Sequence, residues 1–274
     1  MAGSRFSRGV AATALVSAAA CASIAGVEDL TIYDGGVDAG DSDAAAADAS
    51  PDSAPGAITW RATTTQTVPG DQPVSSLTLS CPATAAAGDV LIAGIAMGFS
   101  GAPTTPVFTP PQGWTLVRRI DDATLTTLAI YWHAQAASEP ASYTWSFDMQ
   151  LEGVAWMSDY AGVDTTTPFT SEDGGVVATM GTSYSTPKIQ TTAANALVLA
   201  TFTSHCCSTG SSIPMWNGPM GMVVRANLNN DSTRAALAAE VLVAAPGNAG
   251  PYTATVNVPQ DYALTDLLAL LPAR

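Results

Sequence analysis

The feature that most restricts what this chain can fold into is an internal repeat. The stretch AGDVLIAGI, Ala87–Ile95, aligns with ANALVLATF, Ala194–Phe202; LVRR from Leu116 aligns with VVRA from Val223; and SYTWSF, Ser142–Phe147, aligns with PYTATV, Pro251–Val256. The offsets are 107, 107 and 109 residues. A near-constant offset means two related halves in one chain, so whatever one half folds into the other must fold into as well.

Within each half the texture is β. From Ala57 onward the chain runs in short stretches rich in Val, Thr, Leu, Tyr and Trp, bounded by Gly, Pro, Asn and Asp, the pattern of strands separated by turns. In SYTWSF the residues Tyr143, Trp145 and Phe147 fall on one face and Thr144 and Ser146 on the other, which is a strand with one buried side. RAALAAEVLV, Arg234–Val243, and LTDLLALL, Leu264–Leu271, have helical propensity, but their partners in the repeat read as strands. The expectation is an all-β fold, a two-sheet, jelly-roll-like β-sandwich over residues 57–274 built from halves of about 57–165 and 166–274. Two small sandwiches in tandem are the weaker alternative, because residues 162–188 form only a modest loop region between the halves.

The first 56 residues obey different rules. Arg5 and Arg8 precede an uncharged stretch from Gly9 to Gly26, the layout of a secretory signal, expected over residues 1–20. Its apolar part before Cys21 covers 12 residues of mostly Ala and Val, short of the roughly 20 that a spanning helix needs. Ala18 and Ala20 give the small-residue pattern for cleavage before Cys21. Residues 21–56 follow as a tether carrying Glu28 and seven aspartates and no basic residue; such a segment buries too little apolar surface to offset its ordering entropy and is expected to be disordered. Asp38, Asp41 and Asp43 lack the spacing, central Gly and distal Glu of an EF-hand loop. From Ala57 onward 15 acidic residues stand against 7 basic ones, a net of −8, which argues against nucleic acid and anionic membrane surfaces as partners.

Taken together, GDVLIAGIAM, PPQGWTLVRR, LAIYWHAQAASEPASYTWSF, VAWMSDYAGVDTTTPF, TTAANALVLATF and the closing LLALLPA resemble the β-sandwich domain common in secreted and surface proteins of bacteria. The cysteine at the cleavage junction resembles the lipobox of bacterial lipoproteins, although Ala18 stands where that family usually has Leu, Val or Ile. The leader with its Asp-rich tether is similar to myxobacterial-type lipoproteins. The resemblance implies a sandwich on an exported chain, with Cys21 lipidated and anchored to the outer membrane or cell surface; plain secretion is the alternative. It implies no catalytic residues.

The chemistry-bearing residues are few. Four cysteines and two histidines include the run His205-Cys206-Cys207. In an oxidising compartment cysteines usually pair, while the spacing of Cys81, Cys206, Cys207, His133 and His205 matches no zinc motif. Neighbours on a strand face opposite ways, which is poor geometry for a Cys/His nucleophile. The expectation is therefore a disulfide from Cys81 to Cys206 or Cys207, with a strained Cys206–Cys207 ring as runner-up. There is no GxSxG, HExxH, GxGxxG or phosphate loop, so no catalytic group, metal or cofactor is assigned. Glu139, Asp148, Glu152 and Asp159 are the carboxylates in or next to strands, with Glu139 before Pro140 read as a turn residue. Among six tryptophans, Trp114, Trp132, Trp145 and Trp156 read as core. Trp216 with Asn217, in the Pro- and Gly-rich SSIPMWNGPMG, is the speculative ligand contact.

These readings favour an exported, lipid-anchored envelope protein displaying a noncatalytic sandwich for binding or adhesion, with an extracellular glycan or surface protein as partner. A purely structural envelope protein and a secreted carbohydrate-active enzyme are the alternatives.

Overall fold

In the computed structural model, which describes residues 56–98, 104–122, 126–205, 213–231 and 234–274, the regular elements are all strands. The expected signal peptide, the tether, Cys21, Cys206 and Cys207 lie outside the described residues. The first half holds β1 (Thr59–Val68), β2 (Val74–Ser80), β3 (Val90–Gly98), β4 (Phe108–Thr109), β5 (Thr115–Asp122), β6 (Thr126–Ala134) and β7 (Ser142–Ala161). The second holds β8 (Phe169–Val177), β9 (Gly181–Ser185), β10 (Ile189–Thr191), β11 (Ala196–His205), β12 (Trp216–Asn217), β13 (Val223–Asn229), β14 (Arg234–Val243), β15 (Gly247–Ala249), β16 (Thr253–Gln260) and β17 (Tyr262–Leu270).

The repeat visible in the sequence is a repeat of topology. The large sheet of the first half runs β1-β7-β3-β6-β5, and that of the second runs β8-β17-β11-β14-β13. Opposite each lies a small sheet, in which β2 and β4 flank the first part of β7, and β9 and β12 flank β16. In the first half the 20 residues of β7 serve both sheets, whereas in the second the same path is divided at Asp261 into β16 and β17. β10 and β15 add a two-stranded sheet found in the second half. The corners match too. Gly88 (φ +89°) and Asn195 (φ +59°) both turn the chain through the left-handed region immediately before β3 and β11, where Gly and Asn are the residues tolerated with least strain.

The all-β fold and the two related halves are as expected, and each half closes over its own pair of sheets. One core lies inside the first half (Leu77, Leu91, Ile95, Tyr131, Trp145, Met157), and a second inside the second half (Tyr184, Val198, Phe202, Trp216, Leu237, Leu267). A third lies between the two large sheets, where Ile92, Ile130, Val154 and Trp156 meet Leu197, Ala236, Leu264 and Leu268. The layers therefore run small sheet, large sheet, large sheet, small sheet. The central strands bury both faces, which is why β3 reads as an unbroken apolar run and β17 as one interrupted by Thr265 and Asp266, rather than as alternating patterns.

Register corrects one detail of the sequence alignment. Leu116 lies opposite Tyr131 and Val224 opposite Ala239, and each strand then skips one residue in a bulge, Val117 or Arg225. The equivalent of Arg225 is thus Val117, not Arg118, one position off the LVRR/VVRA match. The bulge directs Arg225 into the joint between the sandwiches. There its Nε donates to Glu240 Oε1 at 2.7 Å, and its guanidinium lies 3.9 Å from the Trp60 ring centre.

Candidate functional site

The predicted ligand contact is not a contact. Trp216 is 2% exposed and its ring packs 5.7 Å from Phe202 and 5.9 Å from Tyr184. The Pro/Gly-rich loop contains the two-residue strand β12, whose pairing with β16 turns Trp216 inward and Asn217 out, as β4 does with Phe108 and Thr109. Trp216 thereby leaves the list of binding residues, and Asn217 loses the aromatic it was to support.

Cys206 and Cys207, the partners expected for Cys81, lie outside the described residues. Cys81 carries a free thiol that accepts from Gln135 Nε2 at 3.2 Å, just beyond the C-terminal end of β6. His205, the residue before Cys206, pairs with Tyr262, whose hydroxyl donates to Thr126 at the N-terminal end of β6.

The carboxylates singled out in the sequence go to three places. Asp148 accepts from the Val107 N–H at 2.8 Å and fixes the register of β4 against β7. Glu152 is buried against Arg234 in the joint. Glu139 and Asp159 come together with His133 and Cys81 at one end of the first sandwich. Among the described residues no three or more His, Cys, Asp or Glu side chains converge as metal ligands.

Two shallow grooves open at that end and share Glu139 and Pro140. One, of about 520 Å³, runs between residues 81–87 and 135–141 with Cys81 and Gln135 in its lining; the other, of about 390 Å³, is lined by Pro111, Gln112, Ser142, Tyr143 and Thr144. Glu139 is the hub of the dividing wall. Its Oε1 accepts from the Ala136 N–H at 2.7 Å and lies 3.0 Å from His133 Nε2, and its Oε2 accepts from the Tyr143 hydroxyl at 2.8 Å. Partial burial works against its charge, but these hydrogen bonds outweigh it and hold the carboxyl below the usual range. His133 Nδ1 is 3.0 Å from the Gly113 carbonyl and its ring stacks 5.4 Å from Trp114. Burial raises the Cys81 thiol, and Asp159 and Glu139 raise it further.

Deeper in, Asp159 is fully buried within hydrogen-bonding reach of Asp89, and burial followed by that neighbour pushes its carboxyl up to about 6. Asp89 Oδ2 accepts from the Ala86 N–H at 2.9 Å and lies 3.2 Å from Arg61 Nε.

The chemistry that follows is that of a site already saturated. Both ring nitrogens of His133 are engaged, Glu139 is spent on three donors, and a thiol with a raised pKa is a poor nucleophile. Among the described residues lining the grooves, the carboxylate Glu139 is held below its usual range, which makes it a weak base.

Nor does the fold require the cluster. By register, the second half places Val241 where the first has His133 and Ala269 where it has Asp159, while Tyr143 has a tyrosine, Tyr252, as its counterpart. The same framework closes there without the histidine and the carboxyl, using threonine hydroxyls bonded to backbone instead. This asymmetry was the available signal: LTTLAIYWHA carries a histidine where its partner RAALAAEVLV carries valine. No family model, curated protein or solved structure matches the chain.

Proposed function

We propose that the chain is an exported, lipid-anchored cell-envelope protein that displays a noncatalytic β-sandwich body for binding, with the paired grooves at Glu139 as its contact. The observation that carries this reading is the cluster itself: the rim of one sandwich carries His133 and Asp159 where its twin has Val241 and Ala269. Rigid, saturated side chains suit recognition, since they lose little freedom when a partner docks. Neither groove is lined by a basic residue, and Glu139 is held ionised, so the partner's contacting surface is neutral or cationic. The linings are dominated by Ala and Pro with Gln112, Ser142 and Thr144 at the edge, which fits a narrow polar strand such as a surface glycan or an extended segment of a surface protein. The leader through Cys21 supports the membrane anchor.

Two measurements test this. Acyl labelling is expected in the wild type and lost in Cys21→Ser. In a glycan and cell-surface binding screen, Glu139→Ala is expected to lose binding at least several-fold while Asn217→Ala is unchanged. A ligand bound equally by all three proteins would move the contact elsewhere.

A further inference from the structure

The wall of the larger groove is held by two carboxyl groups on one face of neighbouring chain segments: Leu91 pairs with Asp159, and Asp89 lies two residues before Leu91. Residues 82–88 cross from β2 to β3, and three ties hold them to the sandwich. Gly88 N–H donates to the Gln135 carbonyl at 3.0 Å, Ala86 N–H donates to Asp89 Oδ2 at 2.9 Å, and the Thr84 hydroxyl donates to Asp159 Oδ2 at 3.1 Å. Two of the three end on the Asp89–Asp159 pair. Asp159 Oδ1 is buried without a hydrogen-bond donor of its own other than a proton on the pair. The second sandwich has Ala196 and Ala269 at these positions, so closing a sandwich end does not call for two facing carboxyls.

We infer that residues 82–88 form a proton-controlled wall of this groove: one proton shared by Asp89 and Asp159 holds the loop in place, and loss of that proton loosens it. Two like charges in contact cannot both ionise cheaply when buried. The surrounding groups leave the pair close to balance. Arg61 on β1 stabilises the ionised form but its side chain is 40% exposed. Cys81, with its raised thiol, stays neutral beside Asp159. Glu139, which faces the same space from beyond Cys81 with His133 and Tyr143 attached, adds negative charge. The raised value of Asp159, about 6, places the transition in the mildly acidic range. Below it the shared proton keeps both acceptors in register with Ala86 and Thr84. Above it the carboxylates repel, and the loop keeps only its Gly88 tie and its internal turns.

This deepens the groove reading by naming what regulates access to it, and it is measured without a ligand. The experiment is amide hydrogen exchange on the whole protein at pH 5.0 and 7.5, with the protection of residues 82–88 referred to that of the turn at residues 219–222. In the wild type, protection is expected to fall several-fold from the lower to the higher pH. In Asp159→Asn, whose amide can donate to Asp89 and still accept from Thr84, it is expected to be the same at both. Equal protection at both pH values in the wild type, or an unchanged fall in Asp159→Asn, overturns the inference. Thr84→Val, an exposed change, guards against a variant that does not fold: its protection at pH 5.0 is expected to drop several-fold, toward the wild-type value at pH 7.5. Wild-type protection in Thr84→Val at pH 5.0 would likewise sink the idea. Failure here leaves the binding screen untouched, and a negative screen leaves this measurement standing.

Discussion

Arg234 and Glu152 form a buried ion pair across the joint between the two sandwiches, and the symmetry-related positions hold Thr126 and Tyr262, joined by a neutral hydrogen bond of 2.9 Å. Arg234 on β14 stands where Thr126 stands on β6, and Glu152 on β7 stands where Tyr262 stands on β17. Asn230 completes the charged version: its Nδ2 donates to Glu152 Oε2 at 3.1 Å, and its Oδ1 accepts from the Arg234 N–H at 2.9 Å. One joint thus contains a charged and an uncharged solution to the same packing problem.

Removing one partner of the charged pair strands the other in the interior. Arg234→Met is expected to lower stability by about 3–5 kcal/mol. Combining Arg234→Thr with Glu152→Tyr installs the uncharged pairing, and the double variant is expected to lose less than the worse of its two single changes. Urea unfolding of the four proteins measures this directly.

Gly94 is the floor under Trp156. A Cβ added to Gly94 would lie 2.0 Å from Trp156 Cζ2, a clash that rotamer changes cannot absorb in a core where Trp156 is 3% exposed. Gly94→Ala is expected to destabilise by about 3 kcal/mol or more, and Gly94→Ala with Trp156→Leu by less. If the single alanine proves neutral by urea unfolding, the ring is not fixed over the glycine.

Trp216→Ala should empty a large volume from the second core, with an expected loss of about 3–5 kcal/mol. Binding of any ligand found for the Glu139 grooves should be unchanged at temperatures where the variant remains folded. Calorimetry and the binding screen on one preparation separate the two effects.

Two buried groups give the stability curve opposite slopes with pH. Asp266 faces the joint, where burial and then Glu172 push its carboxyl up to about 7, against partial compensation by Arg118 at 3.6 Å. Raised in the folded state, it favours folding fully below the unfolded value near 4, and that contribution disappears as pH rises toward 7. At about 1.4 kcal/mol per unit the loss approaches 4 kcal/mol as an upper bound. His205 is shifted the other way, to about 4, by burial and then by Arg234. It therefore disfavours folding as pH falls from about 6.5 to 4. Thermal melts from pH 4 to 8 should show Asp266→Asn gaining stability above pH 7 and His205→Gln gaining it below pH 5; a flat difference curve for either variant would remove that residue as the cause.

The strand texture and the 107-residue offset made the all-β fold and its two halves legible, because period-two alternation and repetition are local properties. The joint was not legible. Arg234 and Glu152 are separated by 82 residues, and nothing local distinguishes a buried arginine from an exposed one. The bulge at Val117 and Arg225 shifted the true equivalence by one residue, which no alignment of four letters can register. Trp216 was misjudged because Pro and Gly around it signal a loop, while a two-residue strand is enough to turn a side chain inward. Glu139 was read as a turn residue, which it is, since it caps Ala136; that His133 and Tyr143 converge on it depends on the small sheet, which holds the first part of β7, lying opposite the large sheet that holds β6.

The near-twofold joint has a further consequence. Two identical chains meeting about a twofold axis must present every contact twice, so an arginine at the Thr126 position would be matched by a second arginine at its mate. Covalent continuity removes that obligation, and it replaces a concentration-dependent association by an internal one that dilution does not reverse. Each side of the joint is thereby free to differ: one holds an Arg–Glu pair and the other a hydroxyl contact. A fused pair can specialise where a dimer of equals cannot.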